Sequence, residues 1–189
     1  YRTAERHTIG WYRRTVTIPE SWRGRPVFLN FGAVDHHATV FVNGIRLGEH
    51  EGGYTPFGFD ITGALGETGP AVITVRAQDP QDHRDQPAGK QIHWYQRTSG
   101  IWQTVYLEPR GLCYVEQVHA RPDVDAEAVE FRIWLGGDEI PGATVEVTVV
   151  DPDEAEAGRV SAAASVGEVL RVGLGLPDVT LWDIDAPAL

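Results

Sequence analysis

The sequence predicts an all-β fold, and three observations carry that expectation. Apolar and polar residues alternate with period two through most of the chain, the mark of strands with one buried face. Helical spacing of apolar residues is almost missing. Turn formers are abundant, with 21 Gly and 12 Pro in 189 residues, as in chains built from short strands and tight connections.

Taken in order, residues 12–18 place Tyr12, Val16 and Ile18 on one face and Arg13, Thr15 and Thr17 on the other. Residues 27–31 alternate Val27, Leu29 and Phe31 with Phe28 and Asn30, and residues 39–43 alternate Val40 and Val42 with Thr39 and Phe41. Asn43-Gly44 follows, a hairpin signal because both turn positions must accept positive φ. Further strands are expected at 57–61, 72–77 and 101–107. Two stretches, 48–56 and 78–99, read as irregular. A structureless connection of ~20 residues is uncommon in a compact domain and is usually functional or disordered. The second stretch carries Lys90, Trp94, Tyr95, Arg97 and two histidines, which reads as a folded loop presenting side chains.

After Pro109-Arg110-Gly111 aromatics thin out and valines take over. Strands are expected at 114–120, 129–135, 144–150, 159–164 and 169–174, separated by clusters such as Gly136-Gly137-Asp138 and Asp151-Pro152-Asp153. About seven short strands over such a length suggest an immunoglobulin-like β-sandwich, here without the Cys…Trp…Cys signature of antibody domains. The expected domains are therefore 1–110 and 111–189.

Composition narrows the function. Hydrophobic residues at 42% and charged residues at 23% exclude wholesale disorder. No apolar run approaches the ~20 residues of a membrane span, and no signal peptide is visible at the start. Twenty-seven Asp and Glu against 16 Lys and Arg give a net charge of −11. Nucleic acid and anionic membrane surfaces are thus not expected as partners. A single cysteine, Cys113, provides no internal disulfide and no thiolate metal cluster. Methionine is absent even at position 1, so the chain is read as a fragment of a longer product.

No Gly-x-Ser-x-Gly, His-Glu-x-x-His, Cys-x-x-Cys or phosphate-cradling glycine loop occurs. Most carboxylates fall in turns or acidic stretches such as 151–156. No catalytic residue, metal or cofactor is therefore assigned to this chain. Carbohydrate recognition fits better. Sugars lay apolar C–H faces on aromatic rings, and their hydroxyls need planar donors and acceptors. Residues 90–97 are dense in both, and Lys90, Gln91, His93, Trp94 and Tyr95 are the candidate substrate-binding residues. The alternative, in which Trp94 and Tyr95 plug the rim of the sandwich, stays open.

Other groups read as less specific. His36 and His37 point to opposite faces of a regular strand and cannot share a metal there. Asp79, Asp82 and Asp85 are donors of the kind a hard cation such as Ca²⁺ takes, but they lack an EF-hand pattern and also read as solvated loop acids. His50-Glu51-Gly52-Gly53-Tyr54 reads as a glycine-permitted sharp turn with Tyr54 packed against the sheet.

Six blocks then stand in order: Trp11-Tyr12-Arg13-Arg14, Phe31-Gly32-Ala33-Val34-Asp35, Val42-Asn43-Gly44, the run from Gly48-Glu49-His50 to Tyr54-Thr55-Pro56-Phe57, Phe59-Asp60-Ile61-Thr62, and Thr98-Ser99-Gly100-Ile101-Trp102-Gln103-Thr104-Val105. Together, over residues 9–110, they resemble the N-terminal sugar-binding domain of glycoside hydrolase family 2, the family of β-galactosidases, β-glucuronidases and β-mannosidases. Residues 111–189 are similar to the immunoglobulin-like sandwich that follows in that family. The ending Leu181-Trp182-Asp183-Ile184 with Pro187 resembles its Leu-Trp…Pro exit strand.

The resemblance implies a jelly-roll first domain of two antiparallel sheets. It also implies a separate TIM barrel carrying two catalytic glutamates that work by retaining double displacement, with carboxyls roughly 5–5.5 Å apart. In the family the acid sits in an Asn-Glu-Pro triplet. The Glu-Pro present here, Glu108-Pro109, lies at a strand end and is not taken for it, so the catalytic machinery is expected beyond Leu189. In several members an aspartate six residues before the Gly-Ile pair reaches the terminal sugar; at that position this chain has Trp94. Lys90, Gln91 and His93 are then the candidates for polar contacts. The expected partner is the terminal sugar of an oligosaccharide or glycoside, without a redox cofactor. A stand-alone lectin-like module and a structural or oligomerisation sandwich remain alternatives, and a further copy of the parent enzyme in a homo-oligomer stays open as a partner.

Overall fold

The computed structural model describes residues 8–66, 69–80, 98–177 and 179–185. The fold is all-β: among the described residues there are strands and two short 3-10 turns, Glu20–Trp22 and Thr62–Ala64, and no α-helix. The chain divides into two compact units, Tyr1–Arg110 and Gly111–Leu189.

The first unit holds β1 (Ile9–Thr17), β2 (Val27–Phe31), β3 (Val34–Asp35), β4 (His37–Val42), β5 (Ile45–Glu51), β6 (Phe57–Asp60), β7 (Pro70–Gln78), β8 (Gly100–Ile101) and β9 (Val105–Pro109). They form a four-stranded sheet in the order β1-β7-β4-β5, a three-stranded sheet β6-β2-β9 and a small pair β3-β8, with every pairing antiparallel. The two larger sheets pack face to face as the jelly-roll β-sandwich that the family resemblance implies. Their inward residues make one core: Val27, Leu29 and Phe31 from β2 meet Ala38, Val40 and Val42 from β4 and Ala71, Ile73, Val75 and Ala77 from β7.

Local chemistry sets this arrangement. Asn43 and Gly44 adopt φ of 51° and 82°, so the two-residue turn has positive φ at both positions and joins β4 to β5 with Val42 opposite Ile45. The Asn43 amide also donates to Ala64 O and accepts from Val72 N, tying the hairpin to the neighbouring segments. Gly48 lies against the Phe59 ring, where a Cβ would come within 2.5 Å, so a glycine lets the two sheets approach. Glu108 sits on β9 opposite Phe28, ion-paired to Arg110 at 3.1 Å and accepting from the Asn30 amide at 3.3 Å. That is a structural carboxylate on a sheet.

The second unit holds β10 (Cys113–Asp123), β11 (Ala128–Gly137), β12 (Thr144–Val150), β13 (Glu156–Ala163) and β14 (Val169–Gly175). A three-stranded sheet β10-β11-β14 faces the hairpin β12-β13. Val129, Phe131, Ile133 and Leu135 of β11 pack with Val145, Val147 and Val149 of β12 and Leu170, Val172 and Leu174 of β14. The described residues thus form five strands where the sequence spacing suggests about seven, and each expected run overlaps one of them.

Candidate functional site

The features that bear on recognition collect at one end of the first sandwich. Phe31 lies at the end of β2, and the chain continues through Gly32 and Ala33 into the two-residue strand β3. Val34 pairs with Ile101 and Asp35 with Gly100. Gly32 N donates to Thr104 O at 2.8 Å and Trp102 N to Ala33 O at 3.4 Å, which pins the far side of this corner. The Asp35–His36 peptide is cis. Beyond it, His36 N donates to Gln78 O and Gly52 N donates to His36 O, so three separate segments meet.

Two glycines make that meeting possible. Gly53 lies against the buried Asp35 carboxylate, and a Cβ there would come within 2.5 Å of Asp35 Oδ1. Gly100 has φ of 76° and abuts the Tyr12 hydroxyl, which also accepts from Ile101 N at 3.4 Å. The backbone at both places must run closer than any larger residue allows.

Aromatic side chains line the outside of the corner. Trp102 Nε1 donates to Gly53 O at 2.7 Å, which fixes the indole. Tyr54 meets that indole edge-on, with ring centroids 5.5 Å apart and planes at 66°. Both remain open to solvent, at 52% for Tyr54 and 38% for Trp102. The sharp turn at Gly52, φ 121°, is thus as expected, whereas Tyr54 does not pack against the sheet. It stands outward on Trp102, because the turn ends the alternation that would have directed it inward. Behind it, His50 stacks on Phe57 at 4.1 Å and shares a hydrogen bond with Thr55 Oγ1 at 3.1 Å. Burial holds the His50 imidazole below the usual histidine range; the charge of His37 adds to this and a bond to the Gly52 backbone opposes it. His50 acts here as a packed ring against Phe57.

The candidate residues Lys90, Gln91, His93, Trp94 and Tyr95 lie outside the described residues, as do Asp82 and Asp85. The described chain on either side belongs to this corner: Gln78 O binds His36 N, Asp79 N donates to Thr8 O, and Gly100 lies opposite Asp35. Asp79 is buried, and its Oδ1 has no hydrogen-bond partner among the described residues. Among those residues no group of three or more His, Cys, Asp and Glu side chains is placed to hold a metal ion. His37 faces Glu49 at 3.6 Å on the outer side of the sheet, apart from His36. The corner exposes the Tyr54 and Trp102 rings, which suit the C–H face of a sugar, while its Asp35 and Asp79 carboxylates are buried beneath.

Sequence reasoning passed over Trp102 and Tyr54 as an outward pair. Their signal was present only as an aromatic in the loop after Gly52-Gly53 and another just past the Ser99-Gly100-Ile101 run.

Comparison with known proteins supplies the family. Residues 2–110 match the profile of the sugar binding domain of glycosyl hydrolases family 2. A β-galactosidase of Thermoanaerobacter pseudethanolicus is 28% identical over 148 residues, covering 77% of this chain and 20% of its own length. A β-galactosidase of Bacteroides ovatus is 29% identical over 192 residues, covering 96% and 22%. A β-glucuronidase of Felis catus is 27% identical over 198 residues, covering 91% and 29%. The chain therefore spans 20–29% of the length of these relatives. Among solved structures, a glycosyl hydrolase family 2 member from Bacteroides cellulosilyticus superposes with a TM-score of 0.72 at 26% identity, over 96% of this chain and 25% of that one.

Proposed function

The chain belongs to glycosyl hydrolase family 2, and from that premise we propose that it is a non-catalytic, sugar-contacting part of a retaining exo-glycosidase acting on O-glycosidic bonds. One observation carries the reading. The matched region is a sugar binding domain, and the chain corresponds to 20–29% of relatives named β-galactosidase or β-glucuronidase. Its role is to complete one wall of a terminal-sugar site whose two reacting carboxyls come from a barrel.

The corner around Asp35, Gly53 and Gly100 takes in the described residues that flank 81–97 in sequence, Gln78 through its bond to His36 N and Gly100 opposite Asp35. In the segment 90–97, Trp94 brings an apolar ring with one N–H donor to the sequence position where several family members have an aspartate. Lys90, Gln91 and His93 supply donors and acceptors for hydroxyls, and Tyr95 adds a second ring. One wall buries too little of a sugar to hold it alone. The 189-residue chain is expected to bind simple monosaccharides with Kd weaker than about 1 mM, or ~4 kcal/mol.

The test is hydrolysis by the protein in its full natural length, across a panel of aryl β-galactosides, β-glucuronides and β-mannosides. We expect cleavage with net retention. Trp94→Ala should lower kcat/KM on the cleaved glycoside by about 10- to 100-fold, the loss of one well-placed binding contact. Unchanged kcat/KM across the panel would remove the 90–97 segment from the site. Sub-millimolar sugar binding by the isolated chain would replace the reading with a stand-alone carbohydrate-binding module.

A further inference from the structure

The four-stranded sheet has a second face, turned away from the core, and the strand register sets its composition. Residues directly opposite each other in an antiparallel pair point to the same side. Trp11 on β1 lies opposite Arg76 on β7, which lies opposite Thr39 on β4, which lies opposite Glu49 on β5. The adjacent row reads Arg13, Thr74, Phe41 and Arg46, and the row on the other side reads Ile9, Gln78, His37 and Glu51. Side-chain contacts agree with these rows. Trp11 and Phe41 have ring centroids 6.2 Å apart, Arg46 pairs with Glu49 at 2.6 Å, and the Arg76 guanidinium donates to Gln78 Oε1 at 2.8 Å.

Two properties set this face apart from ordinary sheet surface. Trp11 is 62% exposed although its side carries arginines and threonines, so the indole does not serve the core. The rows also hold three arginines, Arg13, Arg46 and Arg76, against two glutamates, Glu49 and Glu51, one net positive charge where the whole chain is negative. Glu49 is matched by Arg46, whose hydrogen bond holds that carboxyl below the usual range. Arg76 is bonded to a neutral amide, and Arg13 has no ion pair among the described residues. Two guanidiniums without a carboxylate partner thus flank an exposed indole, on a chain of net charge −11.

We infer that this face, centred on Trp11, Arg13 and Arg76, binds a glycan chain that carries carboxylates, at a site separate from the corner described above. An indole takes the C–H face of a pyranose, and a guanidinium takes a carboxylate through two parallel hydrogen bonds. A uronic acid residue presents both groups. Residues two apart on a strand are about 7 Å from each other and neighbouring strands about 5 Å, so Arg13 and Arg76 both stand within a sugar's length of Trp11. A β-sheet face admits an extended polymer lying across it, in contrast to a corner that takes a chain end.

Affinity electrophoresis of the full-length protein tests this, with polygalacturonate in the gel and neutral galactan in a parallel gel. We expect retardation in polygalacturonate alone, weakening as salt rises from about 50 to about 500 mM. Trp11→Ala and the double variant Arg13→Gln/Arg76→Gln should each weaken it at least about 10-fold, while Trp94→Ala leaves it intact. Because Trp11 and both arginines lie outside the core, an unchanged melting temperature is expected in Trp11→Ala and in the double arginine variant. If Trp11→Ala lowers the melting temperature, the double arginine variant decides. Equal retardation in neutral galactan, retardation that survives the arginine substitutions, or none in polygalacturonate, alginate or glucuronoxylan overturns the inference. Retardation that Trp94→Ala abolishes places the polymer at the corner instead and overturns it equally. Since no outcome depends on hydrolysis, failure here leaves the proposed function standing, and failure of that function leaves this site standing.

Discussion

Gly100 and Gly24 share nearly the same backbone torsion, φ of 76° and 75°, but not the same surroundings. A side chain at Gly24 would meet nothing within 4 Å, whereas one at Gly100 would run into the Tyr12 hydroxyl. The pair separates the cost of left-handed backbone from the cost of crowding. Gly24→Ala should destabilise by about 1 kcal/mol, the penalty an L-residue meets in that conformation. Gly100→Ala adds a steric clash and should lose a further 1–3 kcal/mol or so, read from denaturant midpoints of the 189-residue chain. Equal losses would mean that Tyr12 moves aside freely and that Gly100 sits at the corner for its torsion alone. The same corner explains why Trp102 works as a fixed plate: its N–H is already donated to Gly53 O, so its ring edges and faces are what remain for a neighbour.

Among the elements, the β4–β5 hairpin shows how much the sequence carries and where it stops. Asn-Gly demands positive φ twice, and the turn has it. Asn43 does more, since its amide bonds Ala64 O at 2.9 Å and Val72 N at 2.8 Å. Asn43→Gly keeps the torsion and loses both bonds, so it should cost about 1–3 kcal/mol by denaturant unfolding. A neutral result would assign the residue to the turn alone. The hairpin is legible because its signal is local. The extension of β5 to Glu51 is not, and residues 48–51 read as irregular, because Glu49 faces Arg46 outside while His50 stacks on Phe57 inside. Both faces of that segment are polar in sequence, and only the partner strand shows which is buried. Likewise the run 101–107 reads as one strand yet divides into β8 and β9, since Trp102 N and Gly32 N bond across the corner instead of along a ladder. For the outer face the signal was available: period two puts Trp11 with Arg13 and Thr15, on the polar side of β1. The role assigned to residues 90–95 rests on sequence, because they lie outside the described residues.

At the level of the whole molecule, the two units differ in how much core each has for its size. Among the described residues, thirteen hydrophobic side chains are buried together in the first unit, with Leu29, Val34, Val40 and Val42 wholly enclosed. In the second unit four are, all on β11, and the rest of its interior is half-buried. A domain of about 80 residues buries a smaller fraction of its surface than a larger one and is correspondingly marginal. The second unit should therefore unfold first, and the chain should show two transitions in urea. Trp134 and Trp182 report on the second unit, while Trp11, Trp22, Trp94 and Trp102 report on the first. Ile133→Ala, at the centre of the smaller core, should lower the first midpoint by the equivalent of about 2–5 kcal/mol and leave the second unmoved. Leu29→Ala should do the reverse by a similar amount. A single transition shifted by both substitutions would mean that the units unfold as one, and that the stability of the sugar-contacting sandwich depends on the sandwich that follows it. Two independent transitions would mean that the corner and the outer sheet face keep their geometry when the second unit has already opened. Sugar or polyuronate binding would then persist through the first transition and vanish only at the second.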